Sequence, residues 1–231
     1  MTQPRRTGRV AAIAAVVATT LLVAGTPVPA PAAEPPAEWD GLTRAPSKQV
    51  DLLYVRPGAS LAGYQRLRLD PVQVAFDKNW TPNRDARSLS QRVSSTDMEK
   101  IKTDLATEFS KILKAELGKS GYGFVDVDGE DVLRVTAAIA DLSITAPGNS
   151  DARSRSYVAN AGAMTLVIEL RDSVSGQLLA RVIDREEART NGRFEVSSRA
   201  ANSGAAITVM SRWASLLRKG LDDVKGQPPT R

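Results

Sequence analysis

The chemistry open to this chain is set first by what its side chains lack. Its 231 residues contain no histidine and no cysteine. That removes disulfides, thiol nucleophiles, Cys/His zinc sites, serine–histidine triads and histidine pH switching in one step. Carboxylate, Lys, Ser, Thr and Tyr chemistry remains. Asp172, Asp184, Glu186 and Glu187 fall within one short stretch. Paired acids are the equipment of glycoside hydrolysis, and clustered acids can hold a hard cation. Arg171, Arg181, Arg185 and Arg189 are interleaved with them, however, and favour the plainer reading of a mixed-charge strand face.

Other signatures are incomplete. Gly118-Lys119-Ser120 looks like the tail of a phosphate-binding loop, but the leading glycine of that motif would stand at Leu113. The triplet also closes a helical pattern instead of opening one. Neither Gly-x-Ser-x-Gly nor Ser-x-x-Lys occurs. Arg153, Arg155 and Tyr157 combine two guanidinium groups with an aromatic ring, a set that suits an anionic lipid headgroup or cell-wall polymer; a solvated loop is the competing reading. Arg56 and Tyr64 flank a Pro57-Gly58 turn, and Trp80 stands in a basic stretch with Lys78, Arg84, Arg87 and Arg92. These six residues, Arg56, Tyr64, Trp80, Arg153, Arg155 and Tyr157, are the candidate binding positions. No catalytic, metal or cofactor residue is assigned, and no cofactor is expected.

The elements that must position them are legible from periodicity. Met164, Leu166, Ile168 and Leu170 alternate with Thr165, Val167, Glu169 and Arg171, the mark of a strand with one buried face. Asp172 to Gly176 reads as a turn, and a second apolar strand starts at Leu178. The predicted register sets Leu170 against Leu178, Ile168 against Ala180 and Leu166 against Val182, with Glu169 diagonal to Arg181. Leu67–Leu69 and Val72–Phe76 change apolar parity across Asp70-Pro71, which predicts a broken or bulged strand. Thr96 to Glu99 reads as a capping box. It opens a helix whose face is Met98, Ile101, Leu105, Phe109, Ile112 and Leu117, ending near Gly118. Tyr122–Val127 and Val132–Ile144 read as strands, and Ala205–Lys225 as a closing helix. The order β-α-β-β-β-β-α predicts a two-layer α+β domain: about five mostly antiparallel strands with two amphipathic helices on one face.

Composition sets the boundaries. Residues 1–32 carry Arg5, Arg6 and Arg9, then the uncharged apolar run Ala11–Gly25, then small residues, the pattern of a cleaved Sec-type signal peptide. The run is short of the ~20 residues a membrane-spanning helix needs, although a retained anchor is the competing reading. Residues 33–38 read as a Pro/Ala-rich linker, 39–225 as one domain and 226–231 as a disordered tail. Without the three arginines of the leader the formal charge falls from +5 to +2, a poor balance for a nucleic-acid binder.

Several short motifs recur in a fixed order: Trp39-Asp40-Gly41-Leu42, Tyr54-Val55-Arg56-Pro57-Gly58-Ala59, Gly63-Tyr64, Leu69-Asp70-Pro71-Val72, Arg171-Asp172 with Ser175-Gly176, and Arg212-Trp213 with Leu217-Arg218 and Leu221-Asp222. In this the chain resembles the bacterial domain-of-unknown-function family 3313, most of whose members are predicted envelope lipoproteins. The resemblance covers nearly all of the chain after the leader. It implies a cell-envelope role with no established activity and no catalytic residues to carry over. Members usually carry a lipid-attachment cysteine; this chain has none, so no lipid anchor is expected. The element order is also similar to small envelope modules that assist larger assemblies. The expectation is an exported, periplasmic or secreted, non-enzymatic binding or assembly module. Its partner would be an envelope protein or a cell-wall or lipid component, and no nucleic acid. A carboxylate-dependent hydrolase and an anionic-lipid or cell-wall binder are the alternatives.

Overall fold

A computed structural model describes residues 34–82, 92–145, 160–187 and 199–225, the side chains of 145, 160–162, 187, 199–205 and 225 excepted. The expected leader (1–32), residue 33 of the linker and the tail (226–231) lie outside the described residues. The chain divides into two compact units, Met1–Pro35 and Pro36–Arg231, and all described secondary structure belongs to the second.

That structure runs β1 (Glu38–Trp39), β2 (Leu42–Ala45), β3 (Leu52–Val55), β4 (Arg66–Leu69), β5 (Gln73–Phe76), α1 (Ser95–Leu117), β6 (Gly123–Phe124), β7 (Val132–Thr145), β8 (Asn160–Asp172), β9 (Leu178–Glu187) and α2 (Arg199–Lys225). The strands form one sheet in the order β1-β2-β3-β9-β8-β7-β4-β6, with β5 also paired to β7. Among the described residues the fold class is α+β with two helices, as expected, but the sheet has nine strands and is mixed. β4 and β5 run parallel to β7, and β4 parallel to β6. The expectation of about five mostly antiparallel strands fails for a physical reason. β1, β2 and β6 have two to four residues, too few to display a period. The parallel pairs arise because α1 carries the chain back across the sheet between β5 and β7.

Pro71 cannot donate to a ladder, so the strand opposite β7 breaks into β4 and β5 there. Asp70 fills the gap by accepting from Arg134 Nε (2.8 Å) and Thr136 Oγ1 (2.7 Å). The helix α1 starts two residues earlier than the capping box read from sequence. Ser94 is the cap, its hydroxyl accepting from Asp97 N while the Asp97 carboxylate accepts from Ser94 N. Its apolar stripe (Ile101, Phe109, Leu113, Leu117) joins Met210, Trp213, Ala214 and Leu221 of α2 over alternate residues of β7 and β8. Each large apolar side chain buried here contributes about 1.5–3 kcal/mol relative to exposure.

The β8–β9 hairpin keeps the predicted core face for Leu166, Ile168, Leu170 and Ala180, but not for Leu178, and none of the predicted partners. Leu170 lies opposite Ala180, Ile168 opposite Val182 and Leu166 opposite Asp184. One residue of the difference comes from the turn and one from a bulge where Arg171 meets Leu178. The bulge sends Leu178 to the face away from the helices while Leu179 and Ala180 both enter the main core. Glu169 now stands directly opposite Arg181 instead of diagonal to it.

Candidate functional site

The sheet face turned away from the helices is laid out in cross-strand rows. Thr136, Glu169, Arg181 and Tyr54 form one, through the pairs Thr136–Glu169, Glu169–Arg181 and Arg181–Tyr54. Next to it runs Ala138, Val167, Ile183 and Leu52, four apolar residues on four strands, all only partly buried. An aliphatic row beside a charged row, on a face that neither helix covers, has the composition of a contact surface rather than a core.

The charged row is anchored by Arg181, 7% exposed. Its Nε and Nη2 donate to Glu169 Oε1 (2.9 and 2.6 Å), and Nη2 also to Asp40 Oδ2 (2.8 Å). Arg171 Nη2 donates to the other Glu169 oxygen at 2.7 Å. Burial pushes the Glu169 carboxyl up, but the bonds from Arg171 and Arg181 outweigh it and hold the group below its ordinary value. Burial likewise opposes the Arg181 charge, and Glu169 and Asp40 overcome that, raising its pKa. The Trp39 ring covers the guanidinium at 4.1 Å and meets Tyr54 edge-on at 5.9 Å. Leu42, Tyr54 and Leu178 make a small second core beneath.

β1 and β2 meet in a two-residue turn, Asp40 and Gly41, both at positive φ (55° and 74°). Asp-Gly is the sequence signal of such a turn. It stands in plain view in Trp39-Asp40-Gly41-Leu42, yet flanking strands of two and four residues show no pattern to attach it to.

The candidate residues are distributed, not gathered. Arg56 donates from Nε to Leu178 O (2.6 Å) and from Nη2 to Asp40 O (3.3 Å), at the rim of the Arg181 cluster. Tyr64 donates to Asp172 Oδ2 at 2.8 Å, on the β8–β9 turn. Burial and the Asp172 acceptor push its pKa up to about 12. The Trp80 ring stacks on Phe76 at 4.6 Å and its Nε1 donates to Ile144 O at 3.0 Å, at the opposite end of β7. Arg153, Arg155 and Tyr157 lie outside the described residues.

The carboxylates singled out for acid–base work are engaged elsewhere. Asp172 caps the turn through Ser175 N and Oγ (both 2.7 Å). Those bonds and the one from Tyr64 hold its carboxyl below the usual range. Asp184 is buried against α2, accepting from Trp213 Nε1 (2.7 Å), Arg212 Nη2 (2.5 Å) and Asp51 N (3.1 Å). Glu186 pairs with Arg212. The side chain of Glu187 is outside the described set. Among the described residues no group of three or more such ligands could hold a metal ion, and no helix is long and apolar enough to cross a membrane.

The profile of a family described as "Protein of unknown function (DUF3313)" matches residues 36–217. No curated protein matches the chain. Among solved structures, a DUF330 protein of Xanthomonas campestris is similar at 14% identity, covering 69% of this chain and 87% of that one, with a TM-score of 0.37. A DUF4136 family protein from Bacteroides thetaiotaomicron is similar at 11% identity, covering 79% of this chain and 98% of its own, with a TM-score of 0.36. A PelC dodecamer from Paraburkholderia phytofirmans is similar at 10% identity, covering 71% and 94%, with a TM-score of 0.33.

Proposed function

This chain belongs to the DUF3313 family, and on that premise we propose that it is an exported cell-envelope protein acting as a non-enzymatic binding or assembly module. Export is supported by the basic, then apolar, then small-residue pattern of residues 1–32. The observation that carries the module reading is the sheet face that neither described helix covers, where Ala138, Val167, Ile183 and Leu52 form an aliphatic row across β7, β8, β9 and β3. Such a row is an anchor for a partner's apolar groups, and the neighbouring Arg171–Glu169–Arg181 line supplies orientation. A carboxylate-dependent hydrolase is disfavoured because Asp172, Asp184 and Glu186 are each already bonded to arginine, backbone or hydroxyl donors.

The test is in-cell photocrosslinking from the sheet face of the exported protein, comparing wild type with Val167→Lys/Ile183→Lys. Wild type yields a defined crosslinked envelope component, and the double variant loses it while keeping its circular dichroism and thermal transition. No crosslinked component, or one that the folded double variant retains, refutes the reading.

A further inference from the structure

Residues Pro36–Ala45 form an arm that pairs with β3 through β2 and is clasped at its turn by side chains of the sheet. Tyr54 Oη donates to Pro36 O at 2.9 Å. Arg56 Nη2 donates to Asp40 O, Arg181 Nη2 donates to Asp40 Oδ2, and the Trp39 ring lies on the Arg181 guanidinium. The sheet thus presents a socket of Tyr54, Arg56 and Arg181, and the arm supplies its complement: an aromatic face, a carboxylate and a bare backbone. Gly41 lies at φ 74°, and a Cβ there would stand 3.1 Å from Arg56 Nη1, so a larger residue would be strained and would push that guanidinium aside. The fit leaves Arg181 Nη1 buried and without an acceptor among the described residues.

The arm is also mechanically separable. It joins the sheet through three residue pairs, Thr43–Val55, Arg44–Tyr54 and Ala45–Leu53. Beyond it Pro46, Ser47, Lys48 and Gln49 are exposed, held only in a local bend by the Ser47 hydroxyl, which accepts from Gln49 N and Val50 N. The chain is fixed again at Asp51, whose N–H reaches Asp184 and whose carboxylate accepts from Arg185 N at 2.8 Å. A short exposed pivot between a clasped arm and a pinned strand is the anatomy of an element that two copies can exchange.

We propose that the arm is exchanged between two copies of this chain, the Trp39–Asp40 turn of one filling the Tyr54/Arg56/Arg181 socket of the other. The occupant is fixed by chemistry already realised within one copy: the same bonds form in trans, and a reciprocal exchange closes as a two-fold dimer. This deepens the assembly reading above and rests on it. Competition comes from the arm's own copy, whose short tether gives it an effective concentration on the order of 1 mM. Exchange therefore shows when the protein itself approaches that concentration, as it would where copies are confined together.

The chain has no cysteine, so Thr43→Cys/Val55→Cys introduces a single reporting pair across β2 and β3. The protein lacking its leader is incubated at about 10 µM and about 1 mM, oxidised and run without reductant. The expected result is an intrachain bond at the low concentration and a covalent dimer at the high one. In parallel, isotopically light and heavy wild-type protein are mixed at the high concentration and weighed by native mass spectrometry. Mixed dimers are expected, and because the arm–socket contacts are the same in both states, Trp39→Ala/Asp40→Ala should leave their final share unchanged while speeding their formation about tenfold or more. Absence of mixed dimers overturns the proposal, as does a rate of mixing indifferent to Trp39 and Asp40. Crosslinking from Val167 and Ile183 is read separately, so the arm inference can fail while the sheet-face reading stands.

Discussion

Asp184→Ala is the sharpest test of how this domain is held together. The carboxylate is 4% exposed and serves three donors that come from different elements: Trp213 and Arg212 of α2, and the backbone of Asp51 just before β3. The cost can be apportioned by asking where each donor goes once the acceptor is gone. Trp213 is 1% exposed, so its indole N–H cannot reach water, and a buried unmet donor costs about 1–3 kcal/mol. Arg212 is 43% exposed in its side chain and keeps Glu186, so its loss is small, about 0–1 kcal/mol. The Asp51 N–H belongs to an exposed residue and resolvates, at about 0.5–1 kcal/mol. The indole dominates, and a total of about 3 kcal/mol follows. For a domain of this size that lowers Tm by roughly 6–12 °C. Urea unfolding of wild type, Asp184→Ala, Trp213→Phe and the double variant gives the coupling directly. Most of the penalty should vanish in the Trp213→Phe background. A penalty below about 1 kcal/mol, or coupling below about 0.5 kcal/mol, refutes the assignment.

Glu169 supplies a pH prediction of definite sign. Its folded pKa lies below the ordinary value, so its stabilisation is present above the unfolded carboxylate pKa of about 4.3 and is lost as pH falls through the lower folded value. Glu169→Gln should flatten that part of the acid limb in denaturation measured from pH 6 downward; an unchanged slope counts against it. At the alkaline end, Tyr64 is raised to about 12, so its contribution is intact below pH 10 and drains away between about 10 and 12. Tyr64→Phe should be less stable at neutral pH yet lose less on going alkaline, and parallel curves for the two proteins would sink the idea. Gly41→Ala must hold φ near +74° and displace Arg56, costing about 1–2 kcal/mol, read by chemical denaturation. A cost indistinguishable from zero would mean the turn is not clasped as described.

What was legible in the sequence was what periodicity can carry. The long strands β7, β8 and β9 and the body of α1 repeat their apolar residues often enough to be read, and of the hairpin's expected core positions only Leu178 lies on the other face. The break at Asp70-Pro71 was readable for a chemical reason, since proline has no N–H to give. The arm was not, because Glu38–Trp39 and Leu42–Ala45 are shorter than one informative repeat. Asp184 reads from the sequence as one acid of a mixed-charge strand face; its place opposite Leu166, against the buried Trp213 indole, depends on a long-range contact that no local pattern carries. Arg56, Tyr64 and Trp80 were chosen by type and neighbourhood, and their partners, Leu178 O, Asp172 and Ile144 O, are far away along the chain.

The hairpin turn is where these observations join. A two-residue shift of register preserves parity, so the core survives an error that reassigns every cross-strand partner. That reassignment is what builds the socket. The bulge at Arg171 and Leu178 sets Glu169 squarely opposite Arg181, and Glu169 orients that guanidinium toward Asp40. The same bulge turns Leu178 under Tyr54 and brings its carbonyl to Arg56. The turn in its own right is held by Asp172, which Tyr64 clamps from the segment after Pro57. Tyr64→Phe should therefore loosen the arm as well as the turn. Hydrogen exchange at Arg44 N, which donates to Ala37 O, reads the arm directly. Faster exchange there in Tyr64→Phe than in wild type is the expected outcome, and an unchanged rate would show that the socket is built without help from the turn.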